Sequence, residues 1–376
     1  MFEFLKSRAL ARLAAGVLTA SLTGAAGAAP VLLYAGSYTD GTSKGIYAFK
    51  FDTSTGALQP LGLAVATPEP AHLWIAPNGK ALYAVNWQSP GGVSAFRIDP
   101  KSGALTLLNR VGSNGDKPNQ VVIDPSGRIA VTVNYTTGNL AAFRILPDGR
   151  LSEAFYTDQH VAQSGMGGGA HAHGIIFSKD GRHMFVAELG LDRVYSYEVD
   201  AAHGKIAPAS TPFVSVHAGA GPRRLQLSPD GRHLYVNHET DGEVSVFAVR
   251  GSKLVEVQTA PTLPAGVTMP NKTAEIVIDA SGRHLYVGNR GHDSIAVFDI
   301  KPSDGHLTLA ANVPAGGKTP RNLRIDPTGR FLLSANEGDG TITIFKIDVR
   351  TGALTLTGEV ARVDTPGGLY FLPPRK

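Results

Sequence analysis

The chain has 376 residues, of which 43% are hydrophobic and 18% charged, a composition typical of a soluble globular protein. Its formal net charge is only +4, so a nucleic-acid-binding surface has no electrostatic support. The chain contains no cysteine, which excludes disulfides and leaves packing to stabilise the fold.

The N-terminal segment has the three parts of a secretory signal peptide. A basic stretch from Lys6 to Arg12 precedes an apolar run from Leu13 to Leu22, and Ala26-Gly27-Ala28 is a small-residue cleavage site. The apolar run is too short to span a membrane. An uncleaved membrane anchor is the alternative, but small residues, not charged ones, follow the run. We therefore predict a signal peptide over residues 1–28, export to a bacterial periplasm, and no membrane association after cleavage.

A glycine-containing turn recurs six times between apolar runs, and a Lys or Arg follows the glycine each time. The intervals of 47 to 54 residues are typical of four-stranded propeller blades. Glycine supplies the positive φ that a tight hairpin needs. The six turn glycines are Gly79, Gly127, Gly181, Gly231, Gly282 and Gly329.

Each turn joins two strands, and two further apolar runs complete a four-stranded unit. The N-terminal segment VLLYAGSYTDGTSKGIYAFKFDTSTGALQPL supplies only the last three strands of another unit, and the C-terminal TPGGLYFLPP resembles its missing first strand. Pairing the two closes a ring. We therefore predict an all-β fold, a seven-bladed β-propeller over residues 29–376, with no second domain.

Polar residues collect at the ends of the first two strands of each unit, far from the turn. Because these strands form an antiparallel hairpin, both ends lie at one face of the ring. Charges crowded at a channel mouth favour a ligand site over a network of ion pairs between blades. Eight residues before the glycine stand Ala71, Asn119, His173, Arg223, Ala274 and Arg321; seven after it stand Asn86, Asn134, Glu188, His238, Asn289 and Asn336; and eight after it stand Trp87, Tyr135, Leu189, Glu239, Arg290 and Glu337.

Several stretches, in chain order, resemble the seven-bladed β-propeller lactonase family: HAHGIIFSKDGRHMFVAEL, GPRRLQLSPDGRHLYVNHE, HLYVGNRGHDSIAVF and TPRNLRIDPTGRFLLSANE. This family contains bacterial 6-phosphogluconolactonases and fungal carboxy-muconate lactonizing enzymes, and the resemblance runs from about Val31 to the C-terminus. It implies a lactone hydrolase. The sequence departs from the family pattern at Arg224 and His238, where His and Asn are common. In the muconate branch the catalytic positions correspond to His173, Arg223, Glu239 and Arg290.

These residue types suit lactone hydrolysis, which needs a base to activate water and a donor for the developing oxyanion. Either His173 or Glu239 is the candidate base. The two arginines would hold a carboxylate or stabilise the oxyanion. The other polar residues at the mouth are predicted to bind substrate, and these are Arg321, Asn289, Glu337, Glu188 and His238.

The stretch GGGAHAHG has two other interpretations. His171 and His173, two residues apart on a strand, are able to ligate zinc, but no third ligand is evident nearby, so we predict neither a metal nor a cofactor. The glycines Gly167–Gly169 are able to cradle phosphate, but a strand follows where a phosphate loop needs a helix. We interpret them as a flexible approach to the strand and His171 as a loop residue.

Export favours an unphosphorylated substrate, because phosphorylated sugars are mostly cytoplasmic. We therefore predict hydrolysis of glucono-δ-lactone to gluconate. The alternatives are a 6-phosphogluconolactonase, a carboxy-muconate-type lactonizing enzyme and, in a different class, a non-enzymatic propeller for binding or scaffolding. A scaffold has no need of His, Glu and two Arg gathered at one mouth. We expect a monomer, because a closed ring leaves no open sheet edge.

Overall fold

The computed structural model describes residues 30–162 and 169–373, which form seven four-stranded antiparallel sheets. The predicted signal peptide and two of the glycines, Gly167 and Gly168, lie outside these residues. Among the described residues no helix is long and apolar enough to cross a membrane. The sheets confirm the predicted all-β, seven-bladed architecture.

We number the blades 1 to 7 along the chain, and each blade runs from an inner strand at the channel to an outer strand at the rim. The inner strand of blade 1 is the last of the chain, β28. The strands are, for blade 1, β28 (Pro366–Phe371), β1 (Val31–Ser37), β2 (Gly45–Phe51) and β3 (Leu58–Ala66); for blade 2, β4 (Leu73–Ile75), β5 (Ala81–Asn86), β6 (Gly92–Ile98) and β7 (Leu105–Gly112); for blade 3, β8 (Pro118–Ile123), β9 (Ile129–Asn134), β10 (Asn139–Ile145) and β11 (Leu151–Gln159); for blade 4, β12 (Ala172–Phe177), β13 (His183–Glu188), β14 (Arg193–Asp200) and β15 (Lys205–Ser215); for blade 5, β16 (Pro222–Leu227), β17 (His233–His238), β18 (Glu243–Arg250) and β19 (Lys253–Pro261); for blade 6, β20 (Lys272–Ile278), β21 (His284–Arg290), β22 (Ser294–Ile300) and β23 (Leu307–Pro314); and for blade 7, β24 (Pro320–Ile325), β25 (Phe331–Asn336), β26 (Thr341–Ile347) and β27 (Leu354–Arg362).

The ring closes through the two ends of the chain. Strand β28 pairs antiparallel with β1, with Leu33 opposite Phe371 and Ala35 opposite Leu369. This confirms the predicted sharing of one blade between the termini. The closure leaves the seven inner strands side by side around a central channel, so their ends at each face converge on one mouth.

The core lies between neighbouring blades and is built from the repeat. One aromatic side chain on the third strand of every blade is at most 2% exposed, and burying each contributes roughly 2 kcal/mol. The outer strands are largely exposed, and in β27 only the first residue is buried. The seven aromatics are Phe49, Phe96, Phe143, Tyr197, Phe247, Phe298 and Phe345.

The six glycine turns are the hairpins between the first and second strands of blades 2 to 7. Their glycines have φ between +67° for Gly79 and +73° for Gly329. A residue with a Cβ is strained in this region, which explains why the repeat keeps glycine there. The hairpins fix the register of the two strands, so the residues farthest from the turns lie at the opposite face.

Candidate functional site

The inner strands of five blades carry a β-bulge one residue after their start, and in four of them the extra residue is polar. In blade 4 the register shifts between Ala172 and Gly174, which leaves His173 as the extra residue. A bulge redirects the side chain it carries, and bulges recur beside active sites. The extra residues in blades 3, 4, 5 and 7 are Asn119, His173, Arg223 and Arg321, all eight residues before a turn glycine.

Glu239 follows β17 and lies at the centre of a charged cluster at the mouth. Its Oε2 is 2.8 Å from Nε of Arg223 and 3.0 Å from Nη2 of Arg290. On the other oxygen, Oε1 is 3.8 Å from Nζ of Lys272. Arg223 is only 2% exposed, so its charge depends on this carboxylate for compensation.

The cluster keeps Glu239 ionised. Burial alone would raise the pKa of Glu239, but the charges of Arg223 and Arg290 outweigh it and lower the pKa to about 2. Burial, aided by repulsion from Arg223, lowers the pKa of Arg290 to about 10. Arg290 therefore remains cationic and Glu239 remains anionic at neutral pH.

His173 lies beside this cluster, with Nε2 3.9 Å from Oε2 of Glu239. Its side chain is buried, and its Nδ1 has no hydrogen-bond partner among the described residues. Burial and the nearby charges, Arg223 foremost, hold the pKa of His173 well below its usual value of 6.5. The ring is therefore a neutral imidazole at physiological pH. Its backbone carbonyl accepts hydrogen bonds from Asn119 and Arg224, which fix the bulge.

An aromatic wall borders His173. Tyr135 meets His173 edge-on at 5.8 Å between ring centroids, and Trp87 packs on Tyr135 at 5.7 Å. Tyr38 then meets Trp87 edge-on at 6.5 Å. Three half-buried rings from blades 1 to 3 thus extend from His173 across the mouth.

The wall opens on a cavity of about 680 Å³. Arg321 lies at its edge, where Nη2 donates to the hydroxyl of Tyr38 and Nη1 lies 3.3 Å from Oε2 of Glu337. A cavity of this size, with one aromatic side and converging polar groups, suits a small ligand. It is lined by Tyr38, Asp40, Glu69, Trp87, Gln88, Ser89, Lys117, Arg321, Glu337 and Thr365.

Comparison with known proteins places this chain in a family. The family model described as "Lactonase, 7-bladed beta-propeller" matches residues 32–371. The chain belongs to the seven-bladed β-propeller lactonase family. This lactonase-family chain is 33% identical over 298 residues to a 6-phosphogluconolactonase of Bacillus subtilis, covering 77% of this chain and 83% of the relative. It is 34% identical over 308 residues to a 6-phosphogluconolactonase of Formosa agariphila, covering 78% and 86%.

The fold of the chain also matches that of a solved structure. The periplasmic gluconolactonase of Pseudomonas aeruginosa superposes with a TM-score of 0.86 at 31% identity, covering 91% of this chain and 99% of that one. The family assignment supports a lactone hydrolase and confirms the predicted resemblance.

The structure brings together six of the nine predicted site residues of the lactonase-family chain. His173, Arg223, Glu239 and Arg290 form the charged cluster, while Arg321 and Glu337 border the cavity. The remaining three all lie seven residues after a turn glycine and are fully buried inside their blades. These are Glu188, His238 and Asn289.

The contacts of two of these buried residues, Glu188 and Asn289, show why they are held inside their blades. Glu188 lies 2.8 Å from Nδ1 of the buried His160 and accepts the backbone N–H of His171. Asn289 accepts a hydrogen bond from the hydroxyl of Thr262. Residues seven and eight after the glycine point to opposite sides of the strand, so only the eighth can face the mouth.

The comparison of the repeats within the sequence did not identify Tyr38, which lines the cavity and contacts Arg321. Blade 1 lacks a glycine turn between its inner two strands, so counting from the glycine does not reach it. The available signal was the strand itself: Tyr38 follows β1 as Trp87 follows β5. Aligning VLLYAGSY with ALYAVNW would have found it.

The two histidines of the AHAHG stretch have separate environments in this lactonase-family chain. His171 stacks on Tyr135 at 4.7 Å and its Nδ1 contacts the carbonyl of Tyr135. Neither His171 nor His173 belongs to a group of three or more potential metal ligands within the residues described.

Proposed function

We propose that this protein hydrolyses an unphosphorylated sugar lactone, glucono-δ-lactone, to gluconate. The observation that carries the proposal is the neutral imidazole of His173 beside a carboxylate, Glu239, that Arg223 and Arg290 hold ionised. This arrangement offers a proton acceptor and fixed positive charge at one mouth, the two requirements of ester hydrolysis at neutral pH.

His173 acts as the general base. Both candidate bases are unprotonated at neutral pH, but Oε2 of Glu239 already accepts from Arg223 and Arg290 and has a pKa of about 2. A carboxylate held this way is a weak proton acceptor, because protonation breaks two ion pairs. The imidazole of His173 removes a proton from water, whose oxygen bonds to the lactone carbonyl carbon.

Arg290 stabilises the oxyanion. Its Nη2 is engaged by Glu239 and the carbonyl of Thr273, but its Nε–H has no acceptor among the residues described. A buried, charged donor without a partner is suited to an oxygen that becomes negative during reaction. The imidazolium of His173 then returns its proton to the ring oxygen as the carbon–oxygen bond breaks, giving the open hydroxy acid.

The residues that line the cavity favour an uncharged sugar ring as the substrate over a phosphorylated one. Three carboxylates and two cations line it, so a phosphate dianion gains no net attraction there. Trp87 and Tyr38 offer faces on which the carbon side of a sugar ring can pack. The predicted export and the similarity to a periplasmic gluconolactonase agree with this substrate.

The second candidate is 6-phosphogluconolactone. The two curated relatives above are 6-phosphogluconolactonases, and Lys117, at the cavity, places its ammonium 5.8 Å from the centroid of the Trp87 ring. An exposed lysine of this kind is able to pair with a phosphate.

A pH-stat assay on the purified protein tests both candidates, since each lactone releases one proton on opening. We expect kcat/KM for glucono-δ-lactone at least tenfold above that for its 6-phosphate, after subtraction of spontaneous opening. His173→Gln is the matched control for contaminating activity. A preference for the 6-phosphate would support the second candidate, and no rate above the control with either lactone would contradict both.

A further inference from the structure

A second cluster of potential ligands lies on the same face, at the border of blades 4 and 5. It consists of His217, His238, Asp241 and Glu243. His217 belongs to the connection between β15 and β16, whereas His238 ends β17, Asp241 lies in the turn that follows, and Glu243 begins β18. One imidazole is therefore supplied by one segment, and the second imidazole and both carboxylates by another.

The ligand atoms already converge. Oδ2 of Asp241 is 2.6 Å from Nε2 of His217 and 3.3 Å from Nδ1 of His238. Nε2 of His217 is 3.9 Å from Oε2 of Glu243, and all four atoms lie within 4.8 Å of one another. Tetrahedral zinc with bonds of about 2.1 Å places its ligand atoms about 3.4 Å apart. The present separations lie on both sides of that value, so small side-chain rotations suffice.

The four side chains of this cluster differ in their exposure to solvent. The His238 side chain is 0% exposed, whereas that of His217 is 49% exposed. Asp241 and Glu243 also line a separate depression of about 510 Å³, which gives an ion a route from solvent. Within the described residues the only hydrogen bond of the His238 ring is the one to Asp241, so its polar contact points into the cluster.

Charge favours a cation here. The carboxylates of Asp241 and Glu243 both lie beside the His217 imidazole, with oxygens 2.6 Å and 3.9 Å from its Nε2. Two carboxylates and two imidazoles form a nitrogen–oxygen donor set that suits zinc. Magnesium and calcium prefer all-oxygen sites.

We propose that His217, His238, Asp241 and Glu243 form a zinc site with Nε2, Nδ1 and two carboxylate oxygens as ligands. Bound zinc fastens the β15–β16 connection to the β17–β18 turn. His238 precedes Glu239 in the chain, so the ion also fixes the backbone that carries the central carboxylate of the charged cluster. The site is separate from that cluster, because none of its four ligands contacts substrate in the proposed reaction.

The test measures zinc binding, and it does not depend on the proposed function. The purified untagged protein is dialysed against EDTA, freed of chelator and titrated with ZnCl₂ by isothermal calorimetry. We expect one zinc per chain and a rise of several degrees in melting temperature at saturating zinc, because an ion that binds the folded state stabilises it.

Two variants separate this site from adventitious binding. His217→Gln removes an exposed ligand without opening the core, and we expect its zinc affinity to fall at least tenfold. His203→Gln is the matched control, because His203 is also an exposed histidine beside a carboxylate, Asp200, at 2.7 Å. Equal affinities in the wild type and His217→Gln, or no saturable binding by the wild type, would overturn the proposal.

Discussion

Nε2 of His173 lies 3.9 Å from Oε2 of Glu239, which is too far for a hydrogen bond. The carboxylate therefore does not orient the imidazole as the third member of a catalytic triad does. Its oxygen is instead occupied by Arg223 and Arg290. This arrangement leaves the neutral ring of His173 without a hydrogen bond to Glu239, whose carboxylate instead balances the charges of the buried Arg223 and of Arg290.

Replacing His173 by Gln removes the proposed base and keeps a polar side chain of similar size. We expect kcat for glucono-δ-lactone to fall at least 100-fold, the usual contribution of a positioned base. His171→Gln is the matched control from the same stretch, and we expect its kcat to stay within a few-fold of wild type, because His171 contacts Tyr135 and not the cluster. Equal losses in the two variants would contradict the assignment.

The pH dependence of the reaction follows from the depressed pKa of His173. Because burial and the surrounding arginines hold that pKa well below 6.5, the base is already deprotonated at pH 6.5. We expect kcat, corrected for spontaneous opening, to be flat from pH 6.5 to about 8 and to fall only at more acidic pH. A half-maximal rate near pH 6.5 would show an unperturbed histidine instead.

Arg224 offers an independent check on this explanation. It is one of the cations that lower the pKa of His173, and its Nη1 donates to the backbone carbonyl of that residue. Arg224→Gln removes the charge while retaining a donor. We therefore expect the acidic limb of the rate profile to move to higher pH in this variant. An unmoved limb would mean that another group controls it.

The repeat made the fold and the centre of the site predictable. Counting from the turn glycine located His173, Arg223 and Glu239. Because the hairpin register is fixed, residues at the same distance from the glycine occupy equivalent positions in blades 4 and 5. The bulges were not predictable from the pattern, since a bulge is a property of backbone pairing. A bulge changes the direction of the side chain that it carries, which explains why the eighth residue before the glycine faces the mouth instead of following the regular alternation of the strand.

The placement of Glu188 shows where counting fails. The buried His160 that pairs with Glu188 is 28 residues away along the chain, so nothing in the local sequence indicates this pairing. Alternation along the strand would have separated the seventh residue from the eighth. Long-range partners such as His160 become visible only when the fold places them.

Trp87 tests whether the cavity holds the sugar ring. Trp87→Ala removes the half-buried aromatic face between Tyr38 and Tyr135, and we expect KM to rise roughly tenfold with kcat nearly unchanged, the pattern of lost ground-state binding. Trp87→Phe keeps an aromatic face, and its KM should remain close to wild type. An unchanged KM in Trp87→Ala would place the substrate elsewhere.

Glu239 has a structural consequence that can be measured without substrate. Glu239→Gln leaves the buried Arg223 without a counter-charge, and the pKa of about 2 in the folded chain against 4.5 as the ordinary value corresponds to roughly 3 kcal/mol of stability. We expect urea unfolding at pH 7 to show a loss of that order. Asp148→Asn is the control, because the ion pair of Asp148 with Arg150 is half exposed and should contribute little.

The stability difference between wild type and Glu239→Gln should also depend on pH, and the direction of that dependence tests whether Glu239 is ionised in the folded protein. Because the folded pKa of Glu239 is depressed, its stabilising contribution is complete above pH 4.5 and declines as the pH falls toward 2. The difference in unfolding free energy between wild type and Glu239→Gln should therefore be constant from pH 7 to about 5.5 and narrow below 4.5. A difference that widens on acidification would mean that Glu239 is protonated in the folded protein, and the arginines would then be neutralised by another group.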